Sequence, residues 1–380
     1  MHIRTRLAAA GFAGATAVGL FTFAAGATSA SAAEPHHRGA GQHAVFVEAN
    51  DPAGNTIAVY DRQADGTLSA AGRYATGGTG GVLTGSVADH LASQGAVTVD
   101  RHRHLLYAVN AGSNTVTVFS IRGDRLDRLQ VVGTGGTFPV SVAVHRGVVY
   151  VLNARDGGSI QGFRQVGPFL VRIPSWNRAL GLDPSATPEF VNTPGQVTFS
   201  PSGRQLVVTT KANGNQIDVF GIDRFGGASA VPTINVDPGN VPFAVSFDPA
   251  GRLDVAEAGD NAVASFALHA DGTLTLVDRE FTGQKATCWI ARHGSHLYLD
   301  NAGSGSVSEV DVTATGLQVG TATATDPGTI DATVSGDYLY VETGGKGIVD
   351  EFAIGQDGGL TAIGSVTVAG AVGGEGIAAS

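Results

Sequence analysis

Apolar and polar residues alternate from Leu106 to Val109. The alternation breaks over the small and polar residues Asn110 to Asn114 and resumes from Thr115 to Phe119. This pattern predicts two half-buried strands joined by a short hairpin. Asn, Gly and Ser at the break supply the left-handed backbone positions and local side-chain hydrogen bonds that a tight turn needs. Seven copies of the unit begin at Ala44, Leu105, Val148, Gln205, Arg252, His296 and Tyr338. The residues entering their turns are Asn50, Asn110, Asn153, Thr210, Glu257, Asn301 and Thr343, spaced 42 to 60 residues apart. The shorter spacings match the roughly 40–50 residues of a four-stranded propeller blade.

A short apolar strand precedes six of the units, from Ala96, Val140, Gln196, Ala244, Trp289 and Asp331. A looser outer strand follows each unit, opened in two places by Ala-Asp-Gly-Thr-Leu, at Ala64 and Ala270. The first unit lacks an inner strand, and a spare one, Gly374 to Ser380, stands at the other end of the chain. The pattern therefore predicts an all-β fold, a seven-bladed β-propeller of four-stranded blades. Its C-terminal strand pairs in blade one and closes the ring, which removes an exposed sheet edge. Two segments exceed the repeat, Thr76 to Gln94 and Arg164 to Pro194. Both end where an inner strand begins, on the side of the hairpin turns. The channel mouth and its ligand are expected there, and long loops of this kind often serve as lids.

The first residues fall outside the repeat. Arg4 and Arg6 precede an apolar run from Leu7 to Ala25, and Ala30-Ser31-Ala32 offers the small residues a signal peptidase reads. The expectation is a secretory signal peptide over residues 1–32, cleaved after Ala32. A flexible tail over 33–41 and the propeller over 42–380 follow, in a secreted, extracellular protein with no membrane span in its mature part. Removing Arg4 and Arg6 with the leader leaves 33 acids against 21 bases. That balance argues against nucleic acid as a partner. Cys288 is the only cysteine, so no disulfide framework exists, and a chain of this length can bury enough surface without one. A monomer is expected.

The seven units, with TPGQVTFSPSGRQLVVTTKANGNQIDVF and CWIARHGSHLYLDNAGSGSVSEV, resemble the seven-bladed propeller lactonase family. That family includes 6-phosphogluconolactonase and the carboxymuconate-lactonising enzymes. Val171 to Asn177 (VRIPSWN), followed by Gln196 to Pro201, looks like its secreted bacterial branch. The resemblance spans about Gln42 to Ser380. It implies a lactone opened by water, or the reverse cyclisation, through a His, Arg and Glu constellation near the channel mouth. None of the inner-strand entries in this chain carries a His, and His145 and His293 fall at the far ends of inner strands.

Candidate chemistry is then sought where the repeat is broken by charge. Glu257 replaces the usual turn Asn in blade five, and Lys211 follows the turn entry in blade four. Together they would form a catalytic pair, a carboxylate to move a proton and an ammonium to hold an anionic substrate. Arg155 and Arg178 are candidates for gripping a carboxylate with a planar fork. Gln196, Trp289, Asp331 and Glu375 stand at inner-strand starts, where a substrate-binding side chain would meet the channel. Cys288 reads as a buried thiol. No motif calls for a cofactor or a metal. The leading reading is a secreted lactonase-like propeller acting on a small lactone of a carboxylated compound. The alternative is a non-catalytic extracellular propeller that binds a protein, glycan or small ligand on its top face.

Overall fold

The computed structural model describes residues 43–380, so the expected signal peptide and the whole of the expected tail lie outside the described residues. The described residues form seven four-stranded antiparallel sheets. Each predicted unit supplies the second and third strands of one blade. Leu105–Asn110 and Thr115–Arg122 do so in blade two, and Tyr338–Thr343 and Ile348–Ile354 in blade seven. The second strands are buried along almost their whole length, because both faces of a blade pack against neighbouring blades. The outer strands alternate exposed and partly buried residues, as in Leu68–Ala75. No helix among the described residues is long and apolar enough to cross a membrane.

The ring closes as the pattern predicts. Ile377–Ala379 pairs antiparallel with Ala44–Glu48, matching Val45 with Ala379, Phe46 with Ala378 and Val47 with Ile377. Beyond the ladder, Glu48 N donates to Gly376 O at 2.8 Å and Ser380 N donates to Ala44 O at 2.9 Å. The two ends of the propeller are thus held in one sheet.

Neighbouring blades are tied by tyrosines that recur in the second strands. Tyr150 Oη donates to Gly226 O of blade four at 2.9 Å, Tyr298 to Gly358 O of blade seven at 2.9 Å, and Tyr340 to Gly66 O of blade one at 2.6 Å. The accepting carbonyls belong to the glycines of the outer hairpin turns. At Gly66, φ is +89°, and a Cβ would lie 2.1 Å from the Tyr338 ring. Only glycine lets the turn lie against Tyr338 while its carbonyl accepts from Tyr340.

Deleting Gly374–Ser380 should cost about 1 kcal/mol for each closing hydrogen bond lost, and more from exposed Phe46 and Val47. Thermal unfolding should show a large drop in Tm and self-association through the bared edge of blade one. An unchanged Tm would mean that closure contributes nothing.

Candidate functional site

The first long segment is a plug. Ser93 and Gln94 cross the axis of the ring and bond to inner strands on opposite sides. Trp289 Nε1 donates to Ser93 O at 2.6 Å. Gln94 Nε2 donates to Ile290 O at 2.8 Å, and Gln94 Oε1 accepts Ile290 N at 3.0 Å. On the other side, Ser93 Oγ donates to Val140 O at 2.9 Å and Ser141 Oγ donates to Gln94 O at 2.7 Å. Gln94 N donates to Gly195 O at 3.1 Å. Asp89 shapes the segment by accepting the backbone N–H groups of Leu91, Ala92 and Ser93 at 2.7, 2.8 and 3.0 Å. The end of the channel expected to be open is therefore filled.

Lys211 and Arg155 lock the plug to the second long segment. Lys211 is buried, and its three N–H donors go to Ala92 O and Phe190 O at 2.6 Å each and Thr193 Oγ1 at 3.0 Å. Burial pulls its pKa down, against the charge of Asp89. Arg155 forks onto Glu189, with Nε to Oε1 at 2.6 Å and Nη2 to Oε2 at 3.2 Å, and also donates to Val82 O at 3.1 Å. The guanidinium and the backbone N–H of Thr84 hold the Glu189 carboxyl down at about 2. Part of the second segment, Phe169–Ala179, is simply the outer strand of blade three.

Beneath the plug lies a group of buried acids. The last paired residues of the second and third strands show how they gather. The position just before the turn entry is Val109 in blade two, Leu152 in three, Thr209 in four and Ala256 in five. In blades six and seven it is Asp300 and Glu342. In blade one the matching acid is Glu48, two residues before Asn50; Glu48 pairs with Ile57 as Asp300 pairs with Val307 and Glu342 with Val349. These three, with Asp89, Asp331 and Glu375, are buried. They lie close enough to one another for mutual repulsion to add to the effect of burial on Asp300, Glu342 and Glu375. Their bonds are few: Gly376 N donates to Glu342 Oε2 at 3.1 Å, Asn55 Nδ2 donates to Glu48 Oε1 at 2.6 Å, Glu375 Oε2 lies 3.2 Å from Ser93 Oγ, and only Asp89 and Asp331 accept more than one bond. Desolvation raises the pKa of all six. Among the described residues no group of three or more His, Cys, Asp or Glu is arranged to hold a metal ion.

Below the plug the channel is open. A cavity of about 350 Å³ runs from Gln94 and Asp331 at the inner-strand starts to His145, Ser200 and Pro201 past the strand ends, on the face opposite the hairpin turns. Asp331 sits at its inner end. Asp331 Oδ1 accepts Ala332 N at 2.9 Å and Oδ2 accepts Ile377 N at 3.3 Å, while burial pushes the carboxyl up to about 7. Gln196 Oε1 accepts Val245 N at 2.6 Å, which turns its amide nitrogen toward the cavity. A carboxyl that exchanges protons near neutrality, beside a neutral donor in a chamber sized for one ring, can activate water on a polarised carbonyl.

The other expected residues are placed apart from this cavity. Glu257 and Lys211 do not pair. Glu257 sits at the turn-entry position, one residue past the one that carries the acids in blades six, seven and one, so its side chain takes the other side of the strand. It meets Arg279 at 2.7 Å, and Arg279 also holds Asp237 at 3.0 Å. Burial lifts Glu257 to about 8 despite that pairing. Arg178 donates to Ser229 O at 2.7 Å and to Ala228 O, Ser175 O and Asn177 O, all on the outer rim of blades three and four. Trp289 packs on Phe243 at 4.8 Å between ring centroids and braces the plug. Glu375 belongs to the acid group. Burial pushes the Cys288 thiol up to about 12. Asp89, Ser93 and Gln94 escape sequence reading because nothing local marks a loop that will fill a channel. Asp300 and Glu342 had a readable signal, acids at one repeat position where the other blades carry Val, Leu, Thr or Ala, while Glu48 stands one residue out of that register.

No family model matches the chain, and no curated protein matches it in sequence. Solved structures do match. A Bacteroides fragilis protein proposed to be a 6-phosphogluconolactonase aligns with TM-score 0.70 at 18% identity, over 90% of this chain and 98% of its own. The periplasmic gluconolactonase of Pseudomonas aeruginosa aligns with TM-score 0.72 at 16% identity, over 89% of this chain and 98% of its own. The fold is that of the lactonase-like propellers. Virginiamycin B lyase of Staphylococcus aureus also aligns, with TM-score 0.52 at 13% identity over 74% of this chain and 87% of its own, so the shared ring serves more than one chemistry.

The buried acids make stability depend on pH in a definite direction. Their folded pKa values are raised, so the folded protein holds more protons than the unfolded chain between about pH 4 and 7. Stability then falls as pH rises through that window, by about 1.4 kcal/mol per pH unit for each extra proton held. Glu189 acts in the opposite sense, but only at more acid pH. Tm should be higher at pH 5 than at pH 7, and Glu342→Gln should shrink the difference. A Tm that rises from pH 5 to pH 7 would show these carboxyls to be ionised.

Proposed function

We propose that the protein hydrolyses a small ring lactone in the axial cavity, with Asp331 as general base. Asp331 takes a proton from water as its oxygen attacks the lactone carbonyl. The ring C–O bond breaks, and the proton returns to the departing ring oxygen, giving the open hydroxy acid. Gln196 donates from its amide nitrogen to the oxygen that becomes negative. The observation that carries this reading is a buried carboxyl with a pKa of about 7 at the inner end of a 350 Å³ chamber. A base with that pKa is part ionised at neutral pH and still basic enough to accept the proton. The names of the Bacteroides and Pseudomonas neighbours support the reaction class. In this reading Glu257 and Lys211 hold blades and plug together, and Arg155 braces the two long segments. Export, with cleavage after Ala32, belongs to the same reading, supported by the leader pattern and by the periplasmic description of the Pseudomonas neighbour.

Acid release on a panel of γ- and δ-lactones tests the proposal. Asp331→Asn should lower kcat by about a hundredfold or more. Glu257→Gln should leave the rate nearly unchanged while lowering Tm. Equal rates for Asp331→Asn and the parent would sink the mechanism. A ligand that raises Tm and is returned unchanged would support a non-catalytic binding role.

A further inference from the structure

We infer that the axial cavity selects an uncharged ring, so that the lactone it takes bears neither phosphate nor carboxylate. The inference rests on the hydrolytic reading of the same cavity and adds the substrate's charge class.

No Lys or Arg lines the chamber. Its one basic side chain is His145, at the open end. Burial lowers the pKa of His145, and the charge of Arg146 lowers it further, so the ring is neutral at pH 7. The buried and half-buried cations nearest the axis and the rim are committed. Lys211 is used up on three acceptors in the plug, Arg155 on Glu189, Arg279 on Glu257 and Asp237, and Arg292 on Asp254.

A phosphate ester carries about −1.5 to −2 charge at neutral pH. To enter the chamber it would shed water with no cation to replace it, which is costly for any buried ion. It would also approach Asp331, whose part-ionised carboxyl shares its sign. A carboxylate meets the same obstacles with one charge.

The penalty extends to the chemistry. Negative charge beside Asp331 holds the proton on its carboxyl more tightly, and a protonated Asp331 cannot accept one from water. An anionic lactone would therefore bind weakly and also disable the base. A neutral hydroxylated ring meets neither obstacle. The Gln196 amide nitrogen and the Thr198 hydroxyl face the chamber without a protein hydrogen bond. Phe199 and Val97 offer apolar wall to the ring.

The test compares the δ-lactone of a hexonic acid with its 6-phosphate, by acid release at pH 7. Binding of the corresponding unreactive lactams, with and without phosphate, is measured alongside by calorimetry. The uncharged lactone should show kcat/KM at least about tenfold above the phosphorylated one, the scale of an unpaired like charge in a binding site. Equal or faster turnover of the phosphate ester would overturn the inference and leave hydrolysis standing. If neither lactone turns over, hydrolysis fails and the lactams decide. Binding of the uncharged lactam alone keeps the charge selection, while binding of both, of the phosphate form, or of neither overturns it.

Discussion

The pairing of Ile377–Ala379 with Ala44–Glu48 is the contact on which the rest of the molecule depends. Blades in a propeller are held mainly by packing against their neighbours, and an open ring would leave two faces bare. Closure also builds the centre. The turn into the closing strand places Glu375 at the axis, and the backbone N–H groups of Gly376 and Ile377 are donated to Glu342 and Asp331. The proposed base thus takes one of its two hydrogen bonds from the segment that fastens the ring.

The second constraint is the filling of one end of the channel. Carboxyls at the wide end of an open tunnel would be hydrated and ionised. Under Ser93, Gln94 and Trp289 they lose water, the one cation beside the group is Lys211, and burial raises the pKa of every member. The same plug decides which face a ligand can use. It closes the side of the hairpin turns and leaves the side of His145 and Ser200, so the insertion that lengthens the chain between blades one and two also orients the site.

Much of the architecture was legible because its signals are local. Alternation over five or six residues specifies a strand, a cluster of Asn, Gly and Ser specifies a turn, and seven recurrences specify a ring. The closing strand was legible by subtraction, since one unit lacked a partner and one segment lacked a unit. The site was legible only in part. Asp331 and Gln196 were expected beside the channel because inner-strand starts approach the axis, and both line the cavity. Glu257 and Lys211 were read as a facing pair because turn-entry residues of adjacent blades lie on one rim. A shift of one residue along the strand separates Glu257, turned toward Arg279, from the position that carries Glu48, Asp300 and Glu342 toward the axis.

The sequence by itself determined seven blades, their strands and their closure, because hydrogen bonding and burial in a sheet follow a period of two that neighbouring residues write down. Only the tertiary structure decided where the cavity opens and which carboxyls are buried together. Those outcomes arise where Ser93 and Gln94 meet Ile290, Val140 and Gly195, residues 47 to 196 positions from their partners in the chain, whose approach no local pattern encodes.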